Sequence, residues 1–290
     1  MGEKSNIFKL FSILGNISLK DSYYIARNKK ICAYWSKKVN TQYNFGDKLN
    51  PIILKYLFDK PVVHSERVIN FFHKPTIIFI GSILGNLKGS EYIIMGAGFK
   101  RDSQKIKFKH KKIIAVRGPL TRKTLIKNNI DCPKIYCDPV LLLSEIFPYK
   151  NYLKVWDLGI IPHYVDKEYL KAIRIKDYGL KYKIIDVFSS IDDIVEDIKK
   201  CKYIVSSSLH GIVAAHSYSI PTTRMVISDK IKGGDYKFND YYGSMGEKAH
   251  NVYKISGCLD LMECISLAKS YRIDENIIKF KHAFNEYFEI

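Results

Sequence analysis

Residues 201–221, CKYIVSSSLHGIVAAHSYSIP, carry the side chains of this sequence that are best suited to chemistry. An apolar strand pattern runs into three serines, and a helical pattern follows directly. The free backbone N–H groups and the dipole of a helix start favour a bound anion. Hydroxyl donors at Ser206, Ser207 and Ser208 add to this, and Gly211 has no side chain to keep a ligand away. The pattern predicts an anion-binding turn, although a serine-capped helix without a ligand fits it equally well.

His210 lies in the first turn of the same predicted helix. The positive end of the helix dipole disfavours imidazolium there and lowers the pKa of the side chain. A bound phosphate would raise that pKa again, so the ring would gain a proton when an anionic substrate arrives. General acid catalysis needs this property. His210 is therefore the candidate acid, and a histidine that only caps or packs is the alternative.

Arg117 follows a second apolar run, and Gly118 and Pro119 after it open another helix. The carboxyl ends of parallel strands face the ligand crevice of an open α/β sheet. Arg117 is therefore predicted to hold a carboxylate or a phosphate through two N–H groups. A surface arginine in an ion pair is the alternative interpretation.

Three further segments offer side chains to the same crevice. The turn NFGD brings Asn44 and Asp47 to a helix start, where Asp47 either caps the helix or takes part in binding an acceptor. The segment IPHY places His163 just beyond a strand, although a lone histidine there is more often structural. The stretch KGGDYKFNDYYGS offers Lys232 and Lys237 in a mobile loop that closes over a phosphate, or in a solvated surface loop.

A scaffold of alternating strands and helices is predicted to position these segments. Short apolar strands alternate with amphipathic helices, which indicates parallel sheets covered on both faces. Residues 1–150 hold 27 Lys+Arg against 10 Asp+Glu, whereas residues 151–290 hold 20 against 19. The strand–helix pattern breaks at the same place as this charge balance. We therefore predict two α/β domains, 1–150 and 151–290, that face each other across a cleft, with an apolar-striped C-terminal helix docked on a domain surface.

Composition excludes several classes of protein. A chain of 290 residues with 47% hydrophobic residues is not disordered, and no apolar run approaches the roughly 18 residues of a membrane span. Six cysteines without a CxxC pair predict reduced thiols in the cytoplasm, and the histidine spacing predicts no metal site.

The basic run at 105–112 lacks any accompanying nucleic-acid motif, so no nucleic-acid partner is expected. An apolar helical face over residues 7–14, flanked by lysines, either contacts an anionic membrane or packs on its own domain.

Eight segments, in this order and spacing, resemble the polysaccharide pyruvyl transferase family. They are NFGDKLNP (44–51), IGSIL (80–84), MGAGF (95–99), AVRGPLTRKTL (115–125), DPVLLL (138–143), IPHY (161–164), SSSLHGIVAAHSYSIP (206–221) and KGGDYKFNDYYGS (232–244). The resemblance implies a GT-B-like pair of Rossmann-type domains. It also implies transfer of an enolpyruvyl unit from phosphoenolpyruvate to a sugar of a cell-surface polysaccharide such as O-antigen, capsule or exopolysaccharide. The product is a cyclic pyruvate ketal, and phosphate is released.

The resemblance also implies roles for single residues. His210 takes the acid/base role and Arg117 holds the anionic donor, while several relatives have an arginine where this chain has Ser208. Backbone amides, the serines, and Lys232 or Lys237 would then hold the phosphate. Phosphoenolpyruvate serves as co-substrate and no other cofactor is expected.

The expected setting is the inner face of the plasma membrane, where a glycan acceptor linked to undecaprenyl would be reached from the cytoplasm. A GT-B glycosyltransferase that uses a nucleotide sugar is the nearest alternative. A non-catalytic basic protein that binds membranes or nucleic acid is the alternative from a different class. It would leave the serine–histidine helix start without a role.

Overall fold

The computed structural model describes residues 17–36, 42–69, 74–102, 104–149 and 153–289. In the first half of the chain, five parallel strands form one sheet with the order β2-β1-β3-β4-β5. The strands are β1 (Ile31–Tyr34), β2 (Val62–His64), β3 (Thr76–Ile78), β4 (Gly89–Met95) and β5 (Phe108–Ala115). The apolar runs of the sequence form the central strands, because a sheet covered on both faces buries its strands on both sides.

A second parallel sheet of five strands follows, with the order β8-β6-β9-β10-β11. A separate pair joins β7 to β12. The strands are β6 (Trp156–Ile161), β7 (Arg174–Lys176), β8 (Tyr182–Ile184), β9 (Cys201–Ser206), β10 (Thr222–Val226), β11 (Val252–Lys254) and β12 (Cys258–Asp260). Within each five-stranded sheet the first strand lies between the second and the third, so both sheets have one topology.

Helices connect the strands and cover the sheets. They are α1 (Leu19–Ala26), α2 (Phe45–Phe58), α3 (Pro119–Lys127), α4 (Leu143–Ile146), α5 (Lys167–Ala172), α6 (Ile191–Lys199), α7 (Leu209–Ser217), α8 (Tyr236–Gly243), α9 (Leu261–Ser266) and α10 (Asp274–Phe288). The prediction of parallel α/β sheets is confirmed. The GT-B-like arrangement and the domain bounds 1–150 and 151–290 remain predictions.

One large apolar core runs through both halves of the molecule. It includes Leu49 and Phe79 from the first half and Ile161, Leu209 and Ile212 from the second. Helix α7 is buried on nearly all sides, as its mostly apolar sequence predicts. The two sheets are thus joined by a shared interior.

The C-terminal helix α10 packs on the first half of the chain. Its apolar stripe buries Phe280 and Phe284, and Phe284 meets Phe58 of α2 with ring centroids 5.0 Å apart. Phe280 lies 6.4 Å from Phe79, at the end of β3. The predicted docking surface is therefore on the amino-terminal half, although the helix falls within residues 151–290.

One sequence prediction of local structure is wrong. The stretch predicted as a mobile loop forms helix α8 over residues 236–243, so Lys237 lies in its first turn. The apolar face at 7–14 lies outside the described residues. Among the residues that are described, no helix is long and apolar enough to cross a membrane.

The packing of α10 predicts a stability effect. Truncating the buried Phe284 to alanine removes its contacts with Phe58, Phe280 and Phe288 and should lower the free energy of unfolding by about 3–5 kcal/mol. Ile278 on the same helix is 66% exposed, so Ile278→Ala serves as the matched control and should change it by less than about 0.5 kcal/mol. Urea denaturation followed by circular dichroism measures both. Equal effects of the two variants would contradict the described packing.

Candidate active site

The carboxyl ends of both sheets open onto one cavity of about 260 Å³. In a sheet of this strand order the crevice lies where the order reverses, beyond the ends of the first and third strands. Ser36 follows β1 and Ser82 follows β3 in the first sheet, while His163 follows β6 and Ser208 follows β9 in the second. All four line the cavity. The cavity therefore joins the reversal points of two sheets with the same topology.

His210 lines this cavity from the first turn of α7, as predicted. Its side chain is 18% exposed, and its Nε2 atom is enclosed without a hydrogen-bond partner. Burial, together with the charges of Lys237 and Arg117, lowers the pKa of the imidazole to about 3. The ring is therefore neutral in the empty site, and an anion beside it would favour protonation.

Gly46 of α2 sets the position of the His210 ring. A Cβ atom at residue 46 would lie 1.9 Å from Nδ1 of His210, so any side chain there would displace the imidazole. This contact joins the NFGD turn of the first half to the SLHG turn of the second. In the sequence Gly46 is only one residue of a turn, and nothing local indicates its contact with His210.

Asp138 lies on the other side of His210. It is 1% exposed, and its Oδ2 atom is 3.9 Å from Nε2 of His210. Its Oδ1 accepts the backbone N–H of Val140 at 3.1 Å and so caps a short 3-10 helix over Pro139–Leu142. Burial raises the pKa of Asp138 to about 6. In the sequence Asp138 is marked only by its place before the apolar run of DPVLLL.

Only one of the three predicted serines faces the cavity. Ser208 lines it. The Ser206 hydroxyl lies 2.8 Å from the carbonyl oxygen of Ile161 and accepts the N–H of Ser208 at 3.0 Å. The Ser207 hydroxyl donates to Asp166 at 2.7 Å and accepts the N–H of His163 at 2.8 Å. Ser206 and Ser207 thus shape the turn and do not line the cavity.

Gly211 also has a packing role. A Cβ atom at this position would lie 2.7 Å from Oγ of Ser206 and 2.9 Å from a methyl group of Ile161. The missing side chain lets α7 approach the end of β6. Gly211 does not line the cavity, so the predicted close approach of a ligand to this glycine is not what the geometry provides.

Arg117 lies behind the cavity wall and does not line it. Its guanidinium is 1% exposed and donates to Asp240 of α8 at 3.0 Å through Nε. Nη2 donates to the carbonyl oxygen of Phe99 at 2.7 Å, and Nη1 donates to the hydroxyl of Ser82. Arg117 therefore reaches the cavity through Ser82, whereas the sequence analysis predicted direct contact with the donor.

Lysines give the cavity its charge. Lys237 is 91% buried, and none of the described acidic side chains forms an ion pair with it. Burial, with Arg117, Arg224 and Lys100 nearby, lowers the pKa of Lys237 to about 7. The cavity is also lined by Lys100, Lys230 and Lys232. Four ammonium groups around one small cavity favour a ligand with several negative charges.

Asn44 and Asp47 both line the cavity, but their local roles differ from the prediction. Asn44 is the cap of α2, since its side-chain oxygen accepts the N–H of Asp47 at 3.2 Å. The carboxylate of Asp47 accepts a hydrogen bond from Nδ2 of Asn44 at 2.6 Å. Burial raises the pKa of Asp47 to about 7. A carboxyl group with this pKa can accept or return a proton near neutrality.

His163 lies in the cavity wall beyond β6. Its Nδ1 accepts the backbone N–H of Val165 at 3.3 Å, and its ring lies 4.3 Å from the Tyr164 ring. Burial, then Lys237 and His210, lower its pKa to about 3. His163 is therefore a neutral wall of the site.

The cavity combines a neutral imidazole, a carboxyl group that titrates near neutrality, and a buried ammonium group. Four residues at the site have no sequence signal of their own: Gly46, Ser82, Lys100 and Asp138. Ser82 lies in IGSIL and Lys100 directly follows MGAGF, two segments that carry the family resemblance. Among the described residues no group of three His, Cys, Asp or Glu side chains could hold a metal ion. The arrangement suits proton transfer to and from an anionic substrate.

Comparisons with known proteins identify the family of the chain. The family model of polysaccharide pyruvyl transferases matches residues 44–229, a span that contains the NFGD turn, Arg117, Asp138 and His210. An uncharacterized protein, L143, of Acanthamoeba polyphaga mimivirus is 34% identical over 220 residues, which are 73% of each chain. The succinoglycan biosynthesis protein ExoV of Rhizobium meliloti (strain 1021) is 25% identical over 219 residues, 73% of this chain and 64% of that protein.

The family match covers most strands of both sheets and the cavity residues from Asn44 to His210, and it agrees with the resemblance noted in the sequence. The chain belongs to the polysaccharide pyruvyl transferase family and is a pyruvyl transferase that acts on polysaccharide.

Proposed function

We propose that this enzyme transfers an enolpyruvyl unit from phosphoenolpyruvate to a sugar residue of a cell-surface polysaccharide and forms a cyclic pyruvate ketal. The observation that carries the proposal is the largely buried Lys237, which forms no ion pair with a described acidic side chain and whose Nζ atom lies 5.2 Å from the centre of the Phe238 ring. It lines the same small cavity as His210 and Asp47. An ammonium group buried without a counter-ion costs free energy unless a ligand supplies the opposite charge. A small substrate with a phosphate and a carboxylate supplies it.

The phosphate of the donor is proposed to bind between Lys237 and the start of α7. Unpaired backbone N–H groups of that first turn and the hydroxyl of Ser208 point to the region where the helix dipole favours an anion. Lys232 and Lys100 add charge at the rim. Lys237 thus replaces the arginine that several relatives carry at the Ser208 position.

The carboxylate of the donor is proposed to bind near Ser82. The Ser82 hydroxyl accepts a hydrogen bond from Arg117, so its own hydrogen is free to donate into the cavity. The charge of Arg117 acts through this hydroxyl. Arg117 is therefore a positioning residue in this proposal, and Ser82 makes the contact.

The proton movements balance with the groups at hand. Protonated His210 gives its proton to the methylene carbon of phosphoenolpyruvate, and C2 becomes electrophilic. A hydroxyl of the sugar attacks C2 and loses its proton to Asp47. Phosphate then leaves with the C–O bonding pair, a second hydroxyl closes the ketal at C2, and the proton that this hydroxyl loses goes to the departing phosphate. Asp47 then returns its proton to solvent and His210 takes one up, so both groups regain their starting states. Lys237 and the amides of α7 stabilise the departing phosphate.

The same proposal covers the architecture and the setting. Two Rossmann-type domains, 1–150 and 151–290, in a GT-B-like pair are supported by the repeated strand order and by the cavity between the two sheets.

The acceptor glycan, linked to undecaprenyl, would be bound from the cytoplasmic side of the membrane, on the side of Asn44 and Asp47. Exposed Lys105, Lys107 and Lys109 add to a basic surface on the first half that favours an anionic partner.

The transfer reaction tests the proposal directly. The enzyme incubated with phosphoenolpyruvate and a panel of galactosides, glucosides and mannosaminides should add one pyruvate less one water to an acceptor, as measured by mass spectrometry. His210→Ala should lower kcat by about 10²–10⁴-fold because the proton donor is lost. His282→Ala, at a side chain that is 80% exposed, is the control and should keep wild-type kcat.

Transfer from a nucleotide sugar in place of phosphoenolpyruvate would contradict the proposed donor. Near-wild-type phosphate release by His210→Ala would contradict the role of His210.

Donor binding should weaken as the pH rises above about 7. The free enzyme has a Lys237 pKa of about 7, and bound phosphate raises that pKa, so binding takes up a proton above pH 7. The dissociation constant of phosphoenolpyruvate should therefore rise up to about tenfold per pH unit between pH 7 and 8.5. Ionisation of Asp47 over the same pH range also weakens binding of the donor, because it adds a negative charge to the cavity.

Isothermal titration calorimetry in two buffers of different ionisation enthalpy measures both the affinity and the proton uptake. Lys237→Met should bind more weakly and take up fewer protons on binding, with the remaining uptake due to His210 and Asp47. Lys232→Met, at an exposed lysine of the same cavity, should keep the uptake. Unchanged proton uptake in Lys237→Met would rule out Lys237 as the group that titrates.

The basic surface leads to a membrane prediction. Vesicles that contain anionic phospholipid should sediment the full-length enzyme at low salt, and about 0.5 M salt should release it, since screening weakens such contacts. Vesicles of zwitterionic lipid alone are the control. Equal recovery in the supernatant with both kinds of vesicle at low salt would contradict the membrane contact.

A further inference from the structure

Asp138 is the only acidic side chain of the described residues within 4.0 Å of a His210 nitrogen. Its carboxyl group is nearly fully enclosed, and one oxygen is already used for the cap on Val140. The other oxygen faces Nε2 of His210 at 3.9 Å. A buried carboxylate in this place is costly unless a partner uses its charge.

The two ring nitrogens of His210 have different surroundings. Nε2 is enclosed and has no hydrogen-bond partner, which is rare for a buried polar atom in a native protein. Nδ1 lies against Gly46 of the NFGD turn, and both neighbours of Gly46, Phe45 and Asp47, line the cavity. One nitrogen thus faces the interior carboxylate and the other lies at the cavity wall.

We propose that Asp138 is a positioning residue that accepts the Nε2–H of His210 and leaves Nδ1 to exchange the catalytic proton with the donor. The proposal rests on the acid role given to His210 above and adds which nitrogen performs it. An imidazole whose second nitrogen donates to a carboxylate is held in one tautomer and one orientation, and its protonated form is stabilised.

The gap of 3.9 Å fits an empty site. Catalytic hydrogen bonds are often long without substrate and shorten when the substrate binds. The charges around the pair act in opposite directions: Lys237 and Arg117 disfavour imidazolium, while Asp240 disfavours the Asp138 carboxylate and Arg117 favours it. A bound phosphate changes this balance toward imidazolium, and the Asp138 carboxylate then pairs with it.

The tautomer can be measured without turnover. In protein labelled with ¹⁵N-histidine at pH 7.5, the neutral ring of His210 should show its proton on Nε2, and His210→Ala identifies its signals. In Asp138→Asn the side chain keeps the Val140 cap through its oxygen, and its NH₂ group can donate to Nε2. The proton should then move to Nδ1. A wild-type ring with its proton on Nδ1 would overturn the inference whatever the activity.

Kinetics provides the second readout. Asp138→Asn should lower kcat at least about 100-fold with the KM for phosphoenolpyruvate changed less than about twofold, since tautomer and orientation matter to proton transfer more than to binding. Unchanged kcat in the folded variant would overturn the inference. If the wild-type enzyme carries the proton on Nε2 but transfers no pyruvate, the positioning by Asp138 stands and the proposed function fails.

Discussion

The buried ion pair between Arg117 and Asp240 fixes the part of the cavity wall that carries Ser82 and Lys237. Asp240 also accepts the backbone N–H of Thr121 at 2.8 Å and its hydroxyl at 2.6 Å, so one carboxylate fixes the start of α3 against α8. Gly118 allows this approach, because a Cβ there would lie 1.8 Å from the backbone oxygen of Asp240. Breaking such a pair leaves a buried charge without a partner and costs about 3–5 kcal/mol. The helix that carries Lys237 is placed by this constraint.

The site is divided between two copies of one topology. The first sheet supplies Asp47 and Ser82, and the second supplies His210 and the strand end before it. In an isolated sheet of this kind a ligand lies at one reversal point and is open to solvent on the far side. Here the second sheet closes that side, so charges in the cavity interact through a poorly solvated space.

Local pattern was enough to predict the parallel α/β class, the central strands and helix α7, because apolar periodicity and turn residues dictate them. It was also enough to bring His210, Ser208 and Lys237 to the cavity. It could not separate Ser208 from Ser206 and Ser207, since neighbouring hydroxyls differ only in which way the turn points them. The roles of Gly46, Asp138 and Asp240 depend on contacts between segments far apart in the chain, and no single segment encodes them. Helix α8 was missed because its glycine-rich approach and polar composition are typical of a loop.

Helix α10 has a consequence for how the chain is made. It is the last described helix to leave the ribosome, and yet Phe280 and Phe284 fill the core beside Phe58 of α2 and Phe79, which follows β3. Domains that fold during synthesis do so from the amino terminus onward. The first sheet of this enzyme, although made early, keeps part of an apolar face uncovered until residues 274–288 have been synthesised. A chain that ends before α10 would therefore expose the apolar face of the first sheet and would be prone to aggregate through it.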